Sequence, residues 1–202
     1  MDLDKTQEVL AALYTDEPLR SRFFANPDRL APQLGLDADG LAWFKALNSS
    51  ELAYFSQSLV NKHYNEASPW IPWVCLALGP RAKKLFQRYL ASCQTTASAK
   101  NPQQHAKAFL KFLKPHVRLK SACVPCVPDI IRYEQCRLAA EGSLFIGLLY
   151  AKYPLKALLH TLHHNDELAL VGRRPSLAFW CKIPGMERPW HTIWTLPHFC
   201  RN

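Results

Sequence analysis

No apolar run in this sequence approaches the roughly 18–20 residues that a membrane-crossing helix needs. The longest candidate, Leu144 to Tyr150, falls far short. The opening MDLDKTQEVL is polar and acidic, unlike a secretory leader, so a cytoplasmic location is expected. A GxGxxG turn, a P-loop, a GxSxG elbow and an evident carboxylate pair are all missing, which leaves no complete catalytic set for an independent enzyme. The pair Cys123-x-x-Cys126 has no second CxxC to complete a zinc site, and its spacer, Val124-Pro125, is apolar. The seven cysteines are odd in number and scattered, which argues against a disulfide framework and for a reducing compartment.

Acidic residues are also missing from a long central stretch. Between Arg81 and Lys120 stand ten bases and no acid. The chain carries +9 overall, but residues 1–66 hold ten acids against six bases, and residues 67–202 hold six acids against nineteen bases. Such a basic region suits nucleic acid, an acidic peptide or an acidic protein face. Lys107, Lys111 and Lys114 recur at i, i+4, i+7 and form one helical stripe.

At 202 residues, 49% of them hydrophobic and 20% charged, the chain is long enough to bury a real core. The pattern predicts an α+β protein, a mainly α-helical N-terminal body over 1–150 and a small β-containing part over 151–202. Helices are expected over Lys5–Leu13, after Thr15 or Asp16, from Pro27 or Asp28 to a stop at Gly35, after Asp37, and after Ser49 or Ser50 with Leu52, Phe55 and Leu59 inward. Two prolines in Ser68–Trp73 interrupt the pattern. Helical signal resumes over Pro80–Cys93 and from Pro102 to a stop at Pro115, then from Pro128 to about Glu141. Leu144–Tyr150 reads equally as strand or helix, and Lys156–His163 as a short helix. Ser176–Ile183 and Trp190–Leu196 are β-branched and aromatic, and flank the loop signature Pro184–Pro189. They predict an antiparallel β-hairpin, with Leu168–Val171 as a possible third strand of a three-stranded sheet. Leu177, Phe179, Cys181 and Ile183 share one face of the first strand; Trp190, Thr192, Trp194 and Leu196 share one face of the second.

His160, His163 and His164 fall near a helix C-terminus. There they complement the helix dipole, and no neighbouring glutamate completes a zinc-protease arrangement. No metal is expected on this chain. The open edge of a hairpin is a site where a peptide can add as a further strand, so Leu177, Phe179 and Cys181 are the candidate peptide contacts. The basic residues Arg81, Lys84, Arg88, Lys107 and Lys111 are the candidate docking surface for an acidic partner. Nucleic acid is the rival reading of the same bases, although no homeodomain, finger or RNP signature accompanies them.

Several motifs occur in order along the chain: Tyr14-Thr15-Asp16, Leu19-Arg20, Phe23-Phe24, Asn26-Pro27 and Gly35-Leu36. They continue with Leu59-Val60-Asn61-Lys62-His63, Pro72, Leu78-Gly79, Leu85–Tyr89, Ala108–Leu113 and Val127–Glu134. Together they resemble the accessory proteins that partner multinuclear-iron TIM-barrel oxidases acting on cysteines of ribosomal peptides. The cysteine count and the Trp/His-rich C-terminal part are most similar to the MbnC-like, methanobactin-biosynthesis branch of that family. The resemblance implies a heterodimer with the iron-containing barrel, the iron held by the barrel and no cofactor by this chain. It also implies a cysteine-containing precursor peptide converted to oxazolone–thioamide groups, with this chain recognising the leader segment and carrying no catalytic residue. His198 and Cys200, near the C-terminal end of the sequence, are candidates to reach the partner's active site.

Overall fold

The computed structural model describes residues 2–93, 101–118, 124–142, 144–164, 166, 168 and 171–197. Ten α-helices and a three-stranded antiparallel sheet lie among these residues: α1 Leu3–Thr15, α2 Glu17–Ala25, α3 Pro27–Leu30, α4 Ala38–Ala46, α5 Ser49–Ala67, α6 Pro72–Leu78, α7 Arg81–Ser92, α8 Pro102–Arg118, α9 Val127–Ala139, β1 Phe145–Ala151, α10 Leu155–His163, β2 Ser176–Lys182 and β3 Trp190–Thr195. The α+β expectation holds. No helix among the described residues is long and apolar enough to cross a membrane.

Two compact units divide the chain: residues 1–65 with 86–99, and residues 66–85 with 100–202. In the first unit, aspartates start three helices by local chemistry. Asp2, Asp16 and Asp37 each accept hydrogen bonds from backbone N–H groups of the first turn, which lack helical partners. Gly35 takes φ +71°, a left-handed conformation open to glycine, and ends the turn after α3. Behind these caps Val9, Leu13, Phe23, Phe44 and Leu52 form the core. Asn48, rather than Ser49 or Ser50, caps α5, its Oδ1 accepting from the N–H of Ser50 at 3.0 Å. Phe55 is not inward but half exposed, beside Tyr14 at 4.9 Å between ring centroids.

The second unit is organised around α9, which contacts α6, α8, β1 and β2. Its Val127, Ile130, Ile131 and Leu138 are buried, as are Phe109, Leu110 and Leu113 of α8. Pro115 does not stop α8. It sits inside the helix, which runs on to Arg118. The break after α5 holds, as a single 3-10 turn, Ser68–Trp70. The second proline, Pro72, opens α6 instead of breaking it, because a first-turn proline gives up no helical hydrogen bond.

The ambiguous segment Leu144–Tyr150 resolves as β1, and β1 is the third strand; Leu168 and Val171 lie outside the sheet. The order β1-β2-β3 places Ser176–Lys182 in the middle, so the β1–β2 pairing spans residue 150.

Candidate interaction surface

Register fixes what each face of the sheet carries. Ile146 pairs with Cys181 and Cys181 with Trp190; Leu148 with Phe179 and Phe179 with Thr192; Tyr150 with Leu177 and Leu177 with Trp194. These nine side chains form three cross-strand rows on one face. The opposite face carries Leu149, Ala178, Trp180 and Ile193, all buried, and meets α9 and α10. Trp180 lies 5.3 Å from the Tyr133 ring of α9.

The first face is open. Ile146 is 70% exposed, Leu148 67%, Tyr150 51%, Trp190 53% and Trp194 50%, with Leu144, just before β1, at 65%. Leu177, Phe179 and Cys181 are half-buried between the outer rows, and the Phe179 ring stands 5.9 Å from Trp190. Monomeric proteins seldom expose a contiguous apolar patch of this kind without a use for it. Because β2 is the middle strand, its backbone is committed to both neighbours, so Leu177, Phe179 and Cys181 can meet a ligand only through their side chains. The backbone edges belong to β1 and β3.

Two buried carboxylates hold this platform on the helices. Asp129, at the start of α9, accepts from the N–H of Lys152 at 2.7 Å and of Tyr153 at 3.2 Å, which fixes the chain where it leaves β1. Glu134, fully buried, accepts from the Trp73 N–H at 2.9 Å and from Arg137 Nε at 2.7 Å, and so caps α6 from α9. Burial raises the Glu134 carboxyl above its ordinary range, and Arg137 offsets part of that rise. Ser176 Oγ donates to the Tyr153 carbonyl at 2.7 Å and accepts from the Leu155 N–H at 3.2 Å, tying the start of β2 to α10. Burial also pushes Tyr133 up to about 12, with the neighbouring Glu134 charge adding to it.

The expected docking bases Arg81, Lys84, Arg88, Lys107 and Lys111 are all exposed. Arg88 belongs to the first unit and the other four to the second. Lys107, Lys111 and Lys114 line the solvent side of α8, opposite Ala106, Phe109, Leu110 and Leu113. The His160 and His164 rings lie 4.4 Å apart with their planes tilted by 44°, but among the described residues no three His, Cys, Asp or Glu side chains gather to hold a metal. Cys126 is buried, while Cys123, His198 and Cys200 lie outside the described residues.

Two features escaped sequence reasoning. One is the β1 row, whose uniformly apolar FIGLLYA shows no alternation to betray an open side. The other is a surface cleft of about 540 Å³ in the first unit, lined by Tyr14, Leu47, Glu51, Tyr54 and Phe55 among others. Phe55, whose spacing predicts a core position, lines this cleft instead. No protein-family model matches this chain, and no curated protein matches it either.

Proposed function

We propose that this chain is the non-catalytic partner subunit of an iron-dependent barrel oxidase that modifies cysteines of a ribosomal precursor peptide to oxazolone–thioamide groups, as in methanobactin-type copper-chelator biosynthesis. It holds the leader segment of the peptide and docks the oxidase, and the iron belongs to the oxidase. One observation carries the reading: a three-stranded sheet rigidly backed by α9 and α10 with its other face apolar and open. An extended peptide gains backbone hydrogen bonds by pairing with an outer strand and selectivity from alternate side chains. On the β3 side the short Thr192 stands between Trp190 and Trp194, with Phe179 beside it. That arrangement suits an apolar peptide side chain, with Leu177 and Cys181 completing the central row. The bases Arg81, Lys84, Arg88, Lys107 and Lys111 favour an acidic partner by long-range attraction.

Co-expression with the barrel oxidase and a cysteine-containing precursor tests this. A stable complex is expected, with peptide oxidation by the pair and little by either chain alone. Turnover by this chain unaided, or indifference to both oxidase and peptide, rejects it. A nucleic-acid-binding regulator is the second reading, and the lysine stripe on α8 is its support. It demands affinity for duplex DNA or RNA that falls steeply with salt and with Lys107, Lys111 and Lys114 neutralised.

A further inference from the structure

The open face of the sheet is wider than a peptide strand. A segment added beside β3 lies roughly 14 Å from β1, three inter-strand spacings away, and leaves the β1 row bare. We infer that this row, Ile146, Leu148 and Tyr150 with Leu144 before it, seats a folded protein partner that presents an aliphatic patch rimmed by carboxylates. The inference rests on the functional reading above and assigns the oxidase its place on the sheet.

Three observations carry it. The first is area. Four large apolar side chains exposed by half to two-thirds present on the order of 500 Å², a large share of the roughly 800 Å² per partner of a standard interface. The second is the strand itself. Phe145–Ala151 is an outer strand of seven residues with no charge and no proline, the devices by which exposed edges are normally protected from pairing. Such a strand is tolerated when a partner covers it. The third is charge. The unit that contains the sheet holds eighteen Lys and Arg against seven Asp and Glu, and two of those acids, Asp129 and Glu134, are buried. Two copies of this surface repel each other, whereas an acidic surface is attracted. The occupant is therefore a different, acidic protein rather than a second copy of this chain.

The test uses the full chain, the barrel oxidase and the precursor peptide, each purified. The double substitution Ile146→Glu/Leu148→Glu is expected to weaken oxidase binding by about tenfold or more, to change peptide affinity by less than about twofold, and to leave the thermal melt near that of the wild type. Raising salt is expected to weaken the wild-type complex. Hydroxyl-radical footprinting of the wild-type complex gives a reading independent of any variant: Ile146, Leu148 and Tyr150 become protected. An oxidase complex that forms normally with the double variant, or leaves β1 unprotected, overturns the interface and spares the functional reading. A wild-type chain that sediments as a dimer and becomes monomeric on the double substitution overturns it in favour of a second copy. Loss of peptide binding alone overturns it in favour of the peptide. Failure of the wild-type chain to bind the oxidase at all overturns the functional reading and this inference with it.

Discussion

Glu134 and Arg137, one turn apart on α9, form an ion pair at 2.7 Å in which the carboxylate is wholly buried and the guanidinium also reaches the Trp70 carbonyl. The pair joins α9 to the turn before α6, and removing one member strands the other. Glu134→Ala should therefore destabilise the protein by about 3–5 kcal/mol in denaturant titration, while replacing both residues by apolar ones of similar volume should cost much less. The same carboxyl predicts a pH effect. Its folded-state pKa lies above the ordinary 4.5, so the folded form holds its proton more tightly than the unfolded chain. That contribution is fully present below pH 4.5 and is lost as pH rises through the raised value. Glu134→Gln should flatten this part of the stability–pH curve, and an unchanged slope would show that another group causes it.

Tyr133 gives a second titration. Its hydroxyl is buried, and its pKa is pushed up to about 12. Burial raises Tyr89 as well, so ultraviolet titration of the folded chain should show tyrosines still neutral at pH 11, one fewer of them in Tyr133→Phe. By the same linkage, stability attributable to Tyr133 is intact below about pH 10 and is lost as pH climbs toward 12.

Asp129 accepts two backbone N–H groups where β1 hands over to α10. Hydrogen bonds to a charged group are worth about 1.5–3 kcal/mol each, so Asp129→Ala should lower stability by about 3 kcal/mol. Hydrogen exchange should show the amides of Lys152 and Tyr153 losing protection before those of α1 and α4.

Phe179 occupies the centre of the open face without belonging to the core behind it. Phe179→Asp should weaken precursor-peptide binding by about tenfold or more in calorimetry while leaving helical circular dichroism intact. Unchanged peptide affinity would remove the central row from peptide recognition.

Much of the first unit was legible because its signals are local. An aspartate before a helix and a glycine after one act on neighbouring backbone groups, and Asp16, Asp37 and Gly35 act as read. Asn48 competed with two adjacent serines of equal capping ability, and spacing alone could not rank them. The prolines of Ser68–Trp73 interrupt the helical pattern as expected, whereas Pro115 does not end α8: the effect of a proline depends on its place in the helix, and that place is set by the packing of α8 against α9. The hairpin was legible from its aromatic and β-branched strands and the loop between them. Its third strand was not, because FIGLLYA is apolar throughout and such a run suits a buried helix as well as a strand. Alternation also showed that Leu177, Phe179 and Cys181 share a face. Which face turns to water is a tertiary fact, decided by Tyr133 and Trp180 meeting on the other side.

The middle strand of the sheet is made after the outer strand it supports. During synthesis β1 leaves the ribosome about thirty residues ahead of β2, and the intervening chain includes α10. Through that interval β1 has no sheet neighbour on either side, and the space beneath Tyr133 lacks the Trp180 indole. The second unit can close only when its last third has been translated, so the nascent chain carries a sticky, unpaired strand for that time and gains from an early companion that shields it.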